Sequence, residues 1–164
     1  MFQIRKEGTP VSPMSKQKIR NFATIITQKV RSVIDYNTVL PITHMLDRFG
    51  TDAFPGLSVE ILPTDDPLMK HVWAYTNPSK KTIYIREDTY DKACEGDAQS
   101  RFTIAHEMGH LFLNHNFDLG LPRRDSNNKI PIFYDAEWQA DTFAAELLMP
   151  VYLAKGKTCT EVQR

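Results

Sequence analysis

The residues best suited to chemistry lie in the run Arg101-Phe102-Thr103-Ile104-Ala105-His106-Glu107-Met108-Gly109-His110-Leu111-Phe112-Leu113, which contains His-Glu-x-x-His. On a helix, positions i and i+4 share one face, about one turn apart. The imidazoles of His106 and His110 could therefore converge on one metal ion at about 2.0–2.1 Å. Glu107 follows the first histidine and would project beside the metal, placed to take a proton from an attacking water. Phe102, Ile104, Leu111 and Leu113 are apolar, so this helix should be largely buried. Two histidines and a glutamate on a buried helix are costly unless they are partnered, which argues for a site.

A catalytic zinc takes three protein ligands and keeps one position open for water. Two residues could complete the set. Glu137 and Asp141 in the run Glu137–Pro150 are four apart and share a helix face. If that face meets the first helix, Glu137 is the third ligand. Asp141 can then accept the free ring N–H of a ligating histidine and fix its tautomer. The other choice is His115. The three-histidine metalloprotease pattern needs a histidine one position later and a glycine where Leu113 stands, so His115 fits that pattern poorly. It reads as a helix-end residue near a loop that could touch substrate. An oxyanion donor is also needed, and Tyr84, His115, Tyr134 and Tyr152 are the candidates. His44 and His71 have no partners in sequence and read as ordinary histidines.

The elements that must position these groups can be read in outline. The metal-type helix should cover 98–115. A second helix should cover 135–148, ended by Pro150, with a long polar loop over 116–134 between them. Upstream, Gly8, Pro10, Ser12 and Pro13 mark a loop, and Ser15 is placed to cap a helix. Ile19, Phe22, Ala23, Ile26, Val30 and Val33 then recur at three- and four-residue steps and predict an amphipathic helix over 16–34. Pro41 opens and Gly50 closes a short helix with Ile42, Met45, Leu46 and Phe49 facing inward. Three strand-like runs follow: Leu57–Leu62, His71–Thr76 and Lys81–Arg86. Asn77-Pro78-Ser79-Lys80 predicts a hairpin between the last two. The expected fold class is α+β, with helices packed on a small, mostly antiparallel three-stranded sheet. If Lys81–Arg86 forms a sheet edge, an extended substrate could pair with it; if it is interior, it cannot.

Composition sets the outer limits. At 164 residues the chain suits one domain: a leading segment 1–15, a core over 16–150, and a tail 151–164 that reads like the start of a further helix. Hydrophobic residues at 41% and charged residues at 24% exclude a disordered chain and a disulfide scaffold. Twenty basic residues balance twenty acidic ones, so no global field draws the protein to nucleic acid or to an anionic membrane. Arg123-Arg124 and Lys80-Lys81 read as solvated loop charges. Cys94 and Cys159 form no Cys-x-x-Cys pair and read as free thiols, which suits a reducing cytoplasm. No signal peptide is evident, and no apolar run approaches the roughly 18 residues of a membrane span.

The segments "RFTIAHEMGHLFL" (Arg101–Leu113) and "EWQADTFAAELLMP" (Glu137–Pro150) closely resemble the ImmA/IrrE family of metallopeptidases. The likeness is dense from 81 to 150 and looser over 16–80. It implies a zincin-like core of the gluzincin kind, with one zinc ion per chain on His106, His110 and Glu137, and Glu107 as general base. Family members are bacterial or phage proteins that cleave a helix-turn-helix repressor, relieving repression of stress or mobile-element genes. The implied partner is thus a protein substrate, a DNA-binding repressor, with no direct nucleic acid and no membrane. The chain departs from the family in two places. Asp141 stands where members often have Asn, and the sequence stops at Arg164 where members usually continue into more helices. The rival expectation is a non-catalytic zinc-binding module of a toxin–antitoxin or repressor pair. A closed four-ligand site would favour that rival.

Overall fold

Ser15 opens the first helix: its hydroxyl accepts the Lys18 N–H at 3.1 Å, and α1 runs over Lys16–Val33. The computed structural model describes residues 9–36, 39–115 and 131–150. Helix α1 buries Ile19, Ala23, Ile26, Thr27 and Val30. Phe22 and Val33 were expected on that face, but they are 36% and 37% exposed. At 100° per residue they fall on the rim of a stripe centred on Ile19, Ala23, Ile26 and Val30. Helix α2 is Ile42–Leu46, with Ile42, Met45 and Leu46 buried and Phe49 packed at the core's margin.

The sheet has three strands, β1 (Ser58–Leu62), β2 (Ala74–Asn77) and β3 (Thr82–Arg86), in the order β1-β3-β2. The expected hairpin forms: β2 and β3 are antiparallel, with Ala74 opposite Ile85 and Asn77 opposite Thr82. The other pair differs from expectation. β1 runs parallel to β3, with Ser58 opposite Thr82 and Leu62 opposite Arg86, so the sheet is mixed rather than mostly antiparallel. The hairpin takes one side of β3. β1 reaches the other side only through a connection containing the 3-10 turn Pro67–Met69 and β2 itself. β3 is therefore the central strand, which removes it as an edge for substrate pairing. The edges are β1 and β2.

An element that the sequence reading missed follows at once. Helix α3 (Glu87–Cys94) starts directly from β3 with no loop to announce it. Glu87 and Asp88 lie in its first turn, where the helix dipole favours negative charge. The Arg86 guanidinium bonds both Asp88 oxygens, at 2.6 and 3.0 Å, and holds that carboxyl below the usual range. Cys94, at the end of α3, is a free, exposed thiol. Cys159 lies outside the described residues.

Helix α4 (Ala98–Phe112) is the centre of the molecule. Asp97 caps it, accepting from the Ser100 N–H at 2.8 Å and the Ser100 hydroxyl at 2.7 Å. One side of α4 lies on the sheet face that carries Ile83 and Ile85, both fully buried. Helix α5 (Ala136–Leu148) packs on another side of α4, and α1 packs on α5. Arg20 and Glu146 clamp that last contact with two bonds of 3.0 Å. Surrounded in this way, α4 buries Ser100, Thr103, Ile104, Ala105, Glu107, Met108, Gly109, His110 and Leu111. Fully burying a side chain such as Ile104 or Met108 stabilises the fold by roughly 1.5–3 kcal/mol over leaving it exposed.

Residues 9–15, from the expected leading segment 1–15, lie against α5 and the turn before it. Pro10 bridges to Asp135, Val11 N–H donates to the Tyr134 carbonyl at 2.8 Å, and Met14 N–H donates to the Phe133 carbonyl at 2.9 Å. Val11 is buried. The segment thus runs as a strap beside the 3-10 turn Ile132–Tyr134 and the start of α5. Of the expected loop 116–134, residues 116–130 lie outside the described residues and the end forms the 3-10 turn Ile132–Tyr134; the expected tail 151–164 also lies outside them. Among the described residues no helix is long and apolar enough to cross a membrane.

Candidate metal centre

The site is made by the close approach of α4 and α5. Gly109 makes that approach possible. A Cβ at position 109 would lie 2.9 Å from the Ala140 Cα and 3.1 Å from the Ala140 carbonyl oxygen. Ala140 is also small, so the two helix backbones nearly touch between His106 and His110 on one side and Glu137 and Asp141 on the other. Asp135 caps α5, accepting the Glu137 N–H at 3.0 Å, which fixes Glu137 in the first turn.

The three expected ligands converge. His106 Nε2 lies 3.0 Å from His110 Nε2. The two Glu137 oxygens lie 3.2 Å from His106 Nε2 and 3.3 Å from His110 Nε2. Three ligands at about 2.0–2.1 Å from a tetrahedral ion stand about 3.3 Å apart, so the triangle fits such an ion. Imidazole lone pairs and a carboxylate this close repel one another unless a proton or a cation is shared among them. His106, His110 and Glu137 could therefore hold a metal ion. Their side chains are 12%, 8% and 30% exposed, so the cluster opens to solvent on the Glu137 side.

Each neighbour reinforces this arrangement. Asp141 accepts from His106 Nδ1 at 2.8 Å, which leaves Nε2 for the cluster. Burial works against charge on His106, but the Asp141 and Glu137 carboxylates outweigh it and push its pKa up to about 10. Burial also opposes ionisation of Glu137, yet its bonds to His106 and His110 hold it well below the usual carboxylate range. Glu107 is almost fully buried beside the histidines, and burial raises its pKa. That is the direction required of a group that must pick up a proton and pass it on.

Two neighbours were not singled out in the sequence. Thr76 Oγ1 lies 2.8 Å from Glu107 Oε2 and 2.8 Å from the Glu107 carbonyl oxygen. This places the edge strand β2 directly against the acidic residue. The available signal was weak: alternation puts Thr76 on the same face as Ile83. The second is Gln139, fully buried in α5, which bonds His115 Nε2 at 2.8 Å. A glutamine inside a helix carries no signature of its own.

The remaining candidates fall in different places. His115 is 2% exposed, with one ring nitrogen on His110 and the other on Gln139. It therefore supports the cluster and is not presented to a substrate. Burial and the neighbouring His110 push its pKa down to about 4. Tyr84 lies on the wrong side of the sheet. Thr76 and its cross-strand partner Ile83 face α4, so Tyr84, next along β3, faces away and stacks on Tyr75 at 4.8 Å. Tyr134 is half-buried in the turn just ahead of α5 and stays an oxyanion candidate. Tyr152 lies outside the described residues. His44 and His71 are exposed, in keeping with ordinary roles.

A central helix bearing His-Glu-x-x-His on a small sheet, with a second helix adding a glutamate, defines a zincin-like metallopeptidase domain. The family model described as Peptidase M78, IrrE N-terminal-like domain, matches residues 57–153, and the chain belongs to that family. The match runs from β1 through α5 and includes every residue of the cluster. No curated protein and no solved structure gives a significant match.

Proposed function

We propose that this chain is a zinc-dependent endopeptidase acting in the cytoplasm on a protein substrate, a helix-turn-helix repressor, so that its cleavage relieves repression of stress or mobile-element genes. The observation that carries the catalytic part is the convergence of His106, His110 and Glu137 beside the buried Glu107. Among the described residues the converging set has three members, the number found in catalytic rather than closed structural zinc sites. The repressor as substrate rests on the family resemblance of the two helical motifs.

A bound zinc ion would polarise the scissile carbonyl and lower the pKa of an attacking water toward about 7. Glu107, buried beside the three ligands, is placed where it would take the proton from an attacking water. From there the carboxyl would deliver the proton to the leaving amine. Thr76 Oγ1, 2.8 Å from Glu107 Oε2, would hold that carboxylate in place. The outer edge of β2 pairs with no other strand among the described residues, and β2 carries Thr76. An extended peptide pairing with β2, rather than with β3, would pass close to Glu107.

The test is co-expression with each helix-turn-helix repressor encoded near this chain's gene, read on a gel with and without a chelator. Chelator-sensitive loss of the intact repressor supports the reading. An intact repressor at full zinc loading counts against it.

A further inference from the structure

We propose that His115 and Gln139 form a polarity-fixing relay that holds His110 in the tautomer a metal ligand requires, anchored on the main-chain carbonyls of Ser12 and Phe133. This rests on the metal site of the preceding section but concerns residues behind it.

The direction of every bond in the relay follows from its far end. The Gln139 Nε2 amide lies 2.8 Å from the Ser12 carbonyl oxygen and 2.7 Å from the Phe133 carbonyl oxygen. Carbonyls only accept, so both must receive amide hydrogens. That fixes the orientation of the amide and turns Oε1 toward His115 Nε2, 2.8 Å away. Oε1 also only accepts, so His115 Nε2 carries the hydrogen. The other His115 nitrogen, Nδ1, then presents its lone pair to His110 Nδ1 at 2.8 Å. His110 must donate there, which leaves its Nε2 lone pair for the point where His106 Nε2 and Glu137 also converge.

The backbone explains how His115 reaches this position. Asn114 is left-handed (φ 53), a conformation Asn tolerates better than most residues. Asn114 N–H donates to the Leu111 carbonyl at 3.2 Å, and His115 N–H donates to the His110 carbonyl at 3.1 Å. This pair of bonds is a Schellman ending, which folds the second residue past the helix back onto its last turn. An apolar contact normally closes that motif. Here the contact is between two imidazoles, with ring centroids 5.1 Å apart. The two metal-facing histidines are thus oriented by different means: His106 by a carboxylate, His110 by a neutral chain that ends in the N-terminal strap.

The test uses the full chain labelled with ¹⁵N-histidine. Long-range ¹H–¹⁵N spectra of the chelator-treated and zinc-loaded forms read each tautomer directly. The relay predicts hydrogen on His115 Nε2 and on His110 Nδ1. Hydrogen on His115 Nδ1 overturns it. In parallel, zinc affinity is measured by chelator competition. His115→Phe should weaken zinc binding by about 10- to 100-fold, His115→Gln, which keeps an acceptor, should recover most of the loss, and exposed His44→Ala should change nothing. His115→Phe binding zinc as tightly as the parent overturns the relay. If a variant does not fold, the tautomer spectra of the parent decide. A parent that shows the predicted tautomers but binds no zinc contradicts the zinc-peptidase reading and leaves the relay standing.

Discussion

Thr76 Oγ1 lies 2.8 Å from Glu107 Oε2, so the sheet edge and the acidic residue of the metal helix are joined by one hydroxyl. A hydrogen bond to a charged group contributes about 1.5–3 kcal/mol. Thr76→Val should therefore lower kcat by about 10- to 100-fold with zinc content unchanged, while Thr76→Ser should keep most of the activity. Steady-state rates with metal analysis of each variant check this.

Gly109 sets how near α5 comes to α4. Gly109→Ala would put a methyl group 2.9 Å from the Ala140 Cα, and backbone cannot yield as a side-chain end can. The variant should lose about 1–3 kcal/mol of stability through overpacking. It should also bind zinc more weakly, because Glu137 and Asp141 move outward with α5. Thermal denaturation and chelator competition report the two effects separately.

The metal-free protein should respond to pH in a characteristic direction. His106 is raised from 6.5 to about 10 in the folded chain without metal. A raised folded-state pKa contributes stability that is full below the unfolded value and is lost as pH rises through the folded one. The Tm of chelator-treated protein should fall between pH 6.5 and about pH 10. Zinc requires the unprotonated ring, so its affinity should rise over that interval and offset the fall in the loaded protein. Melting curves of both forms across this range check the sign.

The helix cap at Asp97 gives an acid-side counterpart. The side-chain and main-chain bonds from Ser100 lower the Asp97 pKa, so the cap's contribution is present above about pH 4 and is lost as pH falls through the lowered value. Asp97→Ala should lower Tm clearly at neutral pH, and the gap to the parent should narrow toward pH 3.

The parts of the site legible in the sequence share one property: they repeat along a single helix. His106 and His110 are one turn apart, and so are Glu137 and Asp141. What could not be read depends on contacts between distant elements. Thr76 matters only because β2 pairs with the side of β3 that sets it against α4, and the parallel β1–β3 pair left no local trace. Gln139 matters only because Ser12, Phe133 and His115 surround it. His115 reads in sequence as a helix-end residue open to substrate contact, because helix periodicity alone does not show a chain turning back onto its last turn. Asn114 ahead of it was the one local sign of a left-handed ending. Helix α3 was missed because it is short and joins β3 without a break.

The role proposed for Glu107 is to move the proton in a zinc-dependent cleavage. Glu107→Gln preserves shape and removes the base. The variant should hold about one zinc per chain, as the parent does, with cleavage of the co-expressed repressor abolished. Full zinc content together with undiminished cleavage in Glu107→Gln would contradict it.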